Sequence, residues 1–544
     1  MTLQVQENST VNDQSAEDAV YLRDDVKLEP LIYRWYAWSH LMSPAQLALH
    51  LKFRILPLLT SFVASPTVHI AANADPKMYG GPFMSLAESD VPAIARLVEE
   101  TSSGAAALLA LAQDLKDVST SLQEKANGYS MNDFYATLPP SLQGLIEFLY
   151  TTNHQPDIRL FEGLMDAQDY LDDAQEIMLE ARAERDRHFF MSTPRLDTSE
   201  SLSFKMPFAD QRLDELAAMR KRPASFAAIA KAFEVEDKDL ATFRNLFTET
   251  APALPTRTDP VSGDQVRVRF FGHACVLFET KDVTVLFDPF VAIESKADNR
   301  FTMNDLPDFI DYVVLTHHHH DHFNPEMLLQ LRHRIGRVIV PQNNSGALAD
   351  PSMKLALRKL GFTNVDMINP FDQVDLPDGR IMSLPFTGEH ADLNIYSKQA
   401  IALKLHDRQF LFLIDSDGRD LFLYKRIMER IGKIDALFIG MECHGAPLNW
   451  LYEPLLFKPV SRRNNESRRL SGADCERAWG IVNQVQAPQV YVYAMGQDPW
   501  MKYVMGLEYE ADSIQLVESE RLLERAKAAG IPATRLVSGY EARY

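Results

Sequence analysis

The spacing of apolar residues divides the chain into two parts. From residue 21 to about residue 260, most apolar stretches follow a helical period. SPAQLALHLKFRIL starts with a serine cap and a proline in the first turn, and RLDELAAMRKRPASFAAIAKAFEV predicts two further helices. SLQGLIEFLY also predicts a helix. The stretch MDAQDYLDDAQEIMLEARAERDRHF predicts another, because it is rich in helix-forming residues and poor in β-branched ones. We therefore predict a mainly helical N-terminal domain at 21–260, after a disordered tail at 1–20.

The second part, residues 261–544, follows a boundary segment rich in Pro, Thr, Asp and Gly, ETAPALPTRTDPVSGD. Its apolar residues form short β-type runs such as VRVRFFGH, ACVLFET, VTVLFDPF, DYVVLTH, QFLFLIDS and DALFIGM. Helical segments such as PEMLLQLRHRIG separate some of these runs, and hairpin-sized links separate others. This alternation predicts an α/β domain with an αββα sandwich more than a doubly wound sheet.

Composition narrows the class of protein. The 544 residues carry a formal net charge of −20, which argues against nucleic acid or an acidic membrane surface as a partner. The three cysteines have no C-x-x-C spacing, so neither a disulfide framework nor a thiolate zinc cluster is indicated. The polar N-terminus is unlike a secretory signal, and charged residues and Pro57 interrupt the most apolar stretch, LALHLKFRILPLLTSFVA. We expect a cytoplasmic protein with no membrane span.

The motif LTHHHHDHF directly follows the apolar strand DYVVL. In the register His-x-His-x-Asp-His, His317 and His319 would hold one metal ion and Asp321 and His322 a neighbouring one, whereas the two remaining histidines point elsewhere. Imidazole and carboxylate groups are good ligands for first-row metals. A histidine tract on a solvated loop is the alternative, but the buried strand before it and the aspartate within it favour a metal site.

This motif, preceded by FFGHACVLFET and VTVLFDP, resembles the metallo-β-lactamase superfamily over about residues 266 to 510. The resemblance implies that Asp288 orients a metal ligand and that three further ligands lie downstream, in PFTGEHAD, LFLIDSDG and GMECHGAP. In the second segment we favour Asp415 over Asp417, because a residue at the end of a strand is held better than one in a turn.

In the third segment we favour His444, with Glu442 and Cys443 as adjacent competitors. The first segment decides between two kinds of chemistry. Hydrolytic members of the superfamily place histidine directly after the glycine, whereas here Glu389 follows Gly388 and His390 comes one position late. If Glu389 is a ligand, the site has four histidines and three carboxylates. A third carboxylate adds hard oxygen donors, which favours iron over zinc, and zinc has no redox chemistry.

Glu389 in TGEH and the long N-terminal domain resemble a small group of dinuclear non-haem iron oxygenases built on this fold. The resemblance implies one iron held by His317, His319 and Glu389 and a second held by Asp321, His322 and His444. Asp415 would bridge the two irons, so that Glu389 and Asp415 are the expected catalytic residues.

The group's known substrates are amino acids tethered as thioesters to a carrier domain of a nonribosomal peptide synthetase, in antibiotic biosynthesis. The implied reaction is hydroxylation of the β-carbon by O₂, with electrons from an external reductase. The N-terminal domain would cover the site and form a homodimer interface. The alternatives are a dizinc hydrolase of a lactone, thioester or phosphoester with His390 as the ligand, and a catalytically silent scaffold.

Two further stretches bear on the substrate. SRRNNESRRL places four arginines in one loop of an acidic protein. They predict an anchor for a pantetheine phosphate or an acidic carrier-domain helix, or else they are a solvated loop that balances local acids. Trp450, Tyr452, Trp500 and Tyr503 would line a pocket for an aromatic side chain or belong to the core or a dimer contact.

Overall fold

The computed structural model describes residues 18–168, 170–183, 186–252, 259–293 and 300–544. Residues 1–17 of the predicted disordered tail lie outside the described residues. Ala19 and Val20, at its predicted end, belong to the first strand instead. The predicted boundary near residue 260 adjoins the undescribed residues 253–258 and stays a prediction.

The described N-terminal part contains a four-stranded sheet in the order β3-β2-β6-β7, a three-stranded sheet in the order β8-β1-β9 and the hairpin β4-β5. These strands are β1 (Ala19–Leu22), β2 (Val26–Ile32), β3 (Trp35–Tyr36), β4 (Ile146–Tyr150), β5 (Pro156–Leu160), β6 (Gln175–Ala181), β7 (Ser201–Lys205), β8 (Ala224–Ser225) and β9 (Phe247–Thr248).

Two of the predicted helices are wrong, because SLQGLIEFLY contains β4 and MDAQDYLDDAQEIMLEARAERDRHF contains β6. β6 pairs with the fully buried β2 along its whole length, and such pairing outweighs helix propensity.

Helices pack around these sheets. They are α1 (Pro44–His50), α2 (Leu56–Ala64), α3 (Pro66–Asn73), α4 (Val91–Gly104), α5 (Ala106–Lys125), α6 (Asn132–Tyr135), α7 (Glu162–Asp166), α8 (Arg212–Ala218), α9 (Phe226–Ala232) and α10 (Leu240–Arg244). The helices predicted from SPAQLALHLKFRIL and RLDELAAMRKRPASFAAIAKAFEV are confirmed as α1, α8 and α9.

A π-helical turn at Leu51–Ile55 joins α1 to α2. The resulting segment, Pro44–Ala64, is the one described helix that is long and apolar enough to cross a membrane, and half of it is buried inside the protein. Since α1 packs on α5 and α2 packs on α4, contacts within the protein account for its apolar side chains.

The C-terminal part contains two seven-stranded sheets, in the orders β15-β14-β13-β12-β11-β10-β23 and β16-β17-β18-β19-β20-β21-β22. Their strands are β10 (Arg267–Gly272), β11 (Cys275–Glu279), β12 (Thr284–Phe287), β13 (Ile310–Val314), β14 (Ile335–Pro341), β15 (Val365–Ile368), β16 (Gln373–Leu376), β17 (Gly379–Leu384), β18 (Ala400–Leu405), β19 (Arg408–Phe412), β20 (Ala436–Gly440), β21 (Val490–Tyr493), β22 (Ala533–Arg535) and β23 (Tyr540–Arg543). Each sheet is antiparallel on one side and parallel on the other, with β12 to β15 and β19 to β22 forming the parallel parts.

The inner faces of the two sheets form an aromatic core in which Phe412 stacks on Phe287 and on Phe438, with ring centroids 4.2 and 4.5 Å apart. The described residues of this part also form helices. They are α11 (Pro325–Leu331), α12 (Met353–Lys359), α13 (Leu421–Ile431), α14 (Leu448–Tyr452), α15 (Arg462–Ser467), α16 (Cys475–Val485), α17 (Lys502–Met505) and α18 (Ile514–Ala528). Of these, α12 packs on β14 and β15 and α18 on β22. The predicted αββα sandwich is confirmed. A continuous core joins α11 and the first sheet to the N-terminal part, where β2 and α8 contact α11.

Candidate metal centre

The loop that carries the histidine motif lies between β13 and α11, and its side chains are buried. The backbone N–H groups of His322 and Phe323 both donate to the carbonyl of His319, which folds the loop into a tight turn. Asn324 caps α11 by accepting a hydrogen bond from the N–H of Met327. A short loop held at both ends presents alternate side chains to one point, as the motif requires.

The two other histidines of the run each bond to a residue outside the motif, although His318 also belongs to a group of close donor atoms with His319 and His390. The Nδ1 atom of His318 lies 2.9 Å from the Ser397 hydroxyl, and Nε2 of His320 lies 3.1 Å from the carbonyl oxygen of Val504. The hydroxyl of Ser39, from the N-terminal part, donates to the carbonyl of His318 at 2.8 Å. These bonds fix the register of the ligand loop.

The first group of ligand atoms comprises His317, His319 and Glu389, whose donor atoms lie within 4.8 Å of one another. Glu389 Oε2 lies 2.8 Å from His319 Nδ1 and 3.8 Å from His317 Nε2. Glu389 Oε2 and His317 Nε2 are buried and have no hydrogen-bond partner among the described residues. Unpaired donor atoms that face one another at this spacing fit the ligands of one metal ion, because buried polar atoms otherwise find partners.

A second group comprises His317, His322 and Asp415. Asp415 Oδ2 lies 3.2 Å from His322 Nε2 and 3.8 Å from His317 Nε2, so Asp415 stands between the two pairs of histidine-motif ligands. Gly440, at the end of β20, leaves room for this carboxylate, since a Cβ atom there would lie 2.5 Å from Asp415 Oδ1. Asp321 Oδ2 lies 3.6 Å from His322 Nε2.

Asp288 has the orienting role that was predicted from VTVLFDP. Its Oδ2 atom lies 2.8 Å from His322 Nδ1 and accepts a hydrogen bond from the hydroxyl of Thr316. Binding of Nδ1 to a carboxylate leaves Nε2 of His322 free for a metal ion.

His273, in FFGHACVLFET, was not among the predicted site residues, but it lies in the site. Its Nδ1 atom accepts a hydrogen bond from the N–H of Gly496, so its proton is on Nε2, which lies 2.9 Å from Asp321 Oδ2. A protonated Nε2 donates to the carboxylate and has no lone pair for a metal ion. His273 therefore orients Asp321 as Asp288 orients His322. A histidine at the turn between two predicted strands was the available signal.

The structure does not support His444 as a ligand. Its side chain is exposed, and it belongs to none of the ligand groups among the described residues. The chain turns directly after β20, with the Cys443 N–H bonded to the Met441 carbonyl, and this turn directs His444 to the rim of the pocket instead.

The rival residues have distinct positions. Asp417 accepts a hydrogen bond from Thr387 and pairs with Arg419, so its carboxylate is already engaged. His390 is buried and forms a further group of close donor atoms with His318 and His319, and its ring nitrogens have no hydrogen-bond partner among the described residues. The Nδ1 atom of His390 lies 3.1 Å from Glu389 Oε2. Glu442 belongs to none of the ligand groups, but it lines the same pocket.

The electrostatics of the cluster favour a cation. Burial, together with the carboxylates of Asp415 and Asp321, raises the pKa of Glu389 well above its usual range. Burial alone would also raise the pKa of Asp321, but His322 and His273 outweigh it and hold this pKa well below its usual range. Three carboxylates converging in a buried space repel one another unless positive charge is present. The donor set of three imidazoles and three carboxylates fits two iron ions, which prefer more oxygen donors than zinc does.

A pocket of about 440 Å³ opens above this cluster. His319, Asp321 and Glu389 lie on its floor, the N-terminal segment 77–83 forms one part of its wall, and residues around α14 form another. Of the four aromatic residues predicted as pocket or core, Trp450 lines this pocket, whereas Tyr452, Trp500 and Tyr503 are buried in the core. Tyr452 also places its hydroxyl 3.0 Å from His319 Nε2.

Comparison with known proteins identifies the class. Residues 21–252 match the N-terminal domain of diiron non-haem β-hydroxylases, and residues 267–417 match a β-lactamase superfamily domain. The chain is also similar over 95% of its length to a curated hydroxylase that acts on a carrier-bound amino acid, so it belongs to the diiron non-haem β-hydroxylases. The predicted family, fold and enzyme class are confirmed, and a dinuclear iron centre is the cofactor of this family.

That similar protein is the 4-amino-L-phenylalanyl-[CmlP-peptidyl-carrier-protein] 3-hydroxylase of Streptomyces venezuelae, which is 34% identical over 521 residues, covering 95% of this chain and 98% of that one. The crystal structure of CmlA, a diiron β-hydroxylase from Streptomyces venezuelae, superposes with a TM-score of 0.90 at 32% identity and covers 97% of this chain and 99% of that one. A metal-dependent hydrolase of Listeria monocytogenes is 26% identical over 195 residues, which cover 32% of this chain and 72% of that one.

Proposed function

We propose that this protein hydroxylates the β-carbon of an amino acid held as a thioester on a peptidyl-carrier domain of a nonribosomal peptide synthetase. The observation that carries the proposal is the position of Glu389, whose carboxylate faces His317 and His319 where a hydrolase of this fold would place a histidine. The activity of the Streptomyces relative on a carrier-bound amino acid supports the substrate class.

Six side chains would hold the two irons. His317, His319 and Glu389 form the first site, and Asp321 and His322 form the second, with Asp415 shared between them. His273 and Asp288 would position Asp321 and His322 through their hydrogen bonds, although His273 also lies close enough to both to form a group of donor atoms with them. The second site thus has one protein ligand fewer than predicted, because His444 is not part of it.

When bound, the two irons supply the electrons that activate O₂. One oxygen atom enters the β C–H bond and the other leaves as water, so each turnover consumes two protons and two electrons from outside the protein. We propose that a separate reductase delivers these electrons. The predicted homodimer and cytoplasmic location remain predictions.

The protein's own residues would bind and orient the aminoacyl group. Met78, Phe83, Trp450 and Leu451 line the pocket with apolar surface that excludes water from the reacting carbon. Glu442 places in the same pocket a carboxylate that belongs to no ligand group. Among the described residues its carboxylate accepts one hydrogen bond, a long one of 3.4 Å, from the hydroxyl of Tyr509. We propose that Glu442 binds the free α-ammonium group of the substrate and so turns the β-carbon toward the floor.

The test uses the iron-loaded protein and a carrier domain loaded with 4-amino-L-phenylalanine. The protein is reduced chemically without oxygen, mixed with O₂ and the loaded carrier, and the carrier is analysed by mass spectrometry. We expect about two irons per chain and the gain of one oxygen atom, with ¹⁸O₂ as its source. A colourless zinc protein that cleaves the thioester and adds no oxygen would make this chain a hydrolase.

A further inference from the structure

The rim of the pocket carries positive charge in a protein whose net charge is −20. Lys77 and Arg469 both line the pocket. The segment from residue 453 to residue 470 contains five basic and two acidic residues, the reverse of the balance in the chain as a whole. Positive charge has therefore been concentrated beside the entrance to the metal centre.

Within that segment the arginines of SRRNNESRRL divide into two kinds. Arg468 donates to the carbonyl of Ala391, and Arg469 donates to the carbonyl of Gly445 and pairs with the partly exposed Glu466 at 2.7 Å, so both hold loops of the site in place. Arg462 and Arg463 are exposed on α15, and neither has an acidic partner within ion-pair distance among the described residues. Holding loops in place therefore explains Arg468 and Arg469 but does not explain Arg462 and Arg463.

Helix α15 is next to the pocket wall. It contacts α14, and the N–H of Asn449 donates to the side chain of Asn465 at 2.8 Å. Trp450 and Leu451, on the same α14, line the pocket. A partner bound to α15 is therefore separated from the pocket entrance only by α14. Lys77 and Arg469 lie at that entrance.

We infer that Arg462 and Arg463, together with Lys77 and Arg469, form a docking surface for the carrier domain, hereafter the basic rim. The surface fits an acidic helix of the carrier on α15, with the phosphate of the pantetheine arm beside Lys77 and Arg469 and the aminoacyl group inside the pocket. Guanidinium groups suit both carboxylate and phosphate partners, and exposed charges of opposite sign steer association. This inference rests on the proposed function.

The test is the charge reversal Arg462→Glu with Arg463→Glu, assayed on the iron-loaded protein. The probe is the CmlP carrier domain of the Streptomyces relative, loaded with 4-amino-L-phenylalanine. We expect KM for the carrier to rise by about tenfold or more, with kcat at saturating carrier unchanged within about twofold. KM of the wild type should rise with salt concentration, and KM of the variant should respond less.

The matched control is Lys425→Glu with Arg426→Glu. These two consecutive basic residues are exposed on α13, which packs on α16 and does not line the pocket. The control changes net charge by the same amount, so KM should stay close to that of the wild type. Equal iron content in all three proteins shows that the metal centre is intact.

The outcomes separate two kinds of failure. If the wild type hydroxylates the loaded carrier and the α15 variant has the same KM and salt response as the control, the docking surface is wrong and the proposed function stands. If the wild type adds oxygen to no loaded carrier, the proposed function itself fails. A tenfold rise in both variants would show a general effect of net charge and would also overturn the docking surface.

Discussion

The floor and the rim of the pocket are built in opposite ways. On the floor, the ligand loop is buried, and the histidines between the ligands are held by hydrogen bonds. His318 bonds to Ser397 and His320 to the Val504 carbonyl. On the rim, Lys77, His444 and Arg462 are exposed, and a hydrogen bond from Trp450 Nε1 to the carbonyl of Gly80 joins the segment 77–83 to α14. Chemistry at the metal ions requires ligands in fixed positions, whereas binding of a carrier requires an exposed surface from which the partner can displace water.

The floor is also tied to the N-terminal part by buried charge. Arg187 lies 2.5 Å from both Glu29 of β2 and Glu326 of α11, the helix that follows the ligand loop. Arg195 pairs with the other oxygen of Glu29. Separating the two parts would leave buried charges without their partners, which is strongly destabilising. These contacts therefore fix the N-terminal part against the ligand loop.

The largest effect should come from the floor residue that distinguishes iron from zinc. We expect Glu389→His to lose hydroxylation and to lower iron affinity by more than about 100-fold, because a hard oxygen ligand is replaced by a nitrogen donor that suits zinc. The measurement is metal content after growth with both metals, together with product formation. His390→Gln is the control, and it should keep iron. Loss of iron from His390→Gln with retention in Glu389→His would reverse the assignment of the ligand.

A second large effect concerns stability. Arg187→Met leaves Glu29 and Glu326 buried without their shared cation, which should lower the free energy of unfolding by about 3–5 kcal/mol. The exposed pair of Arg159 and Glu147 gives the comparison, since Arg159→Met should cost less than about 1 kcal/mol. Urea denaturation of both variants measures the difference. Equal midpoints would show that the buried cluster does not join the two parts.

A smaller effect is expected inside the pocket. Glu442→Gln should raise KM for the aminoacyl carrier by roughly tenfold, since a charge-assisted hydrogen bond to the α-ammonium group is lost. The wild type should show a similar loss with the N-acetylated substrate. The two changes together should cost little more than either one alone. Full additivity would mean that Glu442 and the amino group do not interact.

The smallest effect belongs to the bond across the rim. Trp450→Phe keeps the apolar wall but removes the hydrogen bond to Gly80, which is expected to raise KM by roughly fivefold, with kcat unchanged. Steady-state kinetics on the loaded carrier measures both constants. A fall in kcat with constant KM would place Trp450 with the chemistry of the floor and not with the recognition of the rim.

The site could be predicted from sequence where its residues are close together in the chain. His317, His319, Asp321 and His322 form a local pattern after a strand, so their spacing alone indicated a metal site. Glu389 and Asp415 required the family resemblance, because the distance along the chain does not reveal which strand ends meet. His444, which lies outside the ligand groups of the described residues, was favoured and His273 was missed for the same reason. A turn after β20 exposes the first residue, whereas the hairpin of β10 and β11 brings the second to Asp321.

The fold followed the same rule. Strands of the sandwich were predictable from runs of apolar and β-branched residues, whereas β6 has the composition of a helix and became a strand through its pairing with β2. Helix propensity differs among ordinary residues by less than about 1 kcal/mol, so buried pairing readily outweighs it. Local patterns therefore predicted the floor better than they predicted the N-terminal part that covers it.

The measurement that tests the central claim most directly is a crystal structure of the iron-loaded protein, with anomalous diffraction data collected on both sides of the iron edge. We predict two iron peaks, one bound by His317, His319 and Glu389, with Asp415 between them. Peaks that follow the zinc edge, with His390 bound and the Glu389 carboxylate turned away, would contradict the account.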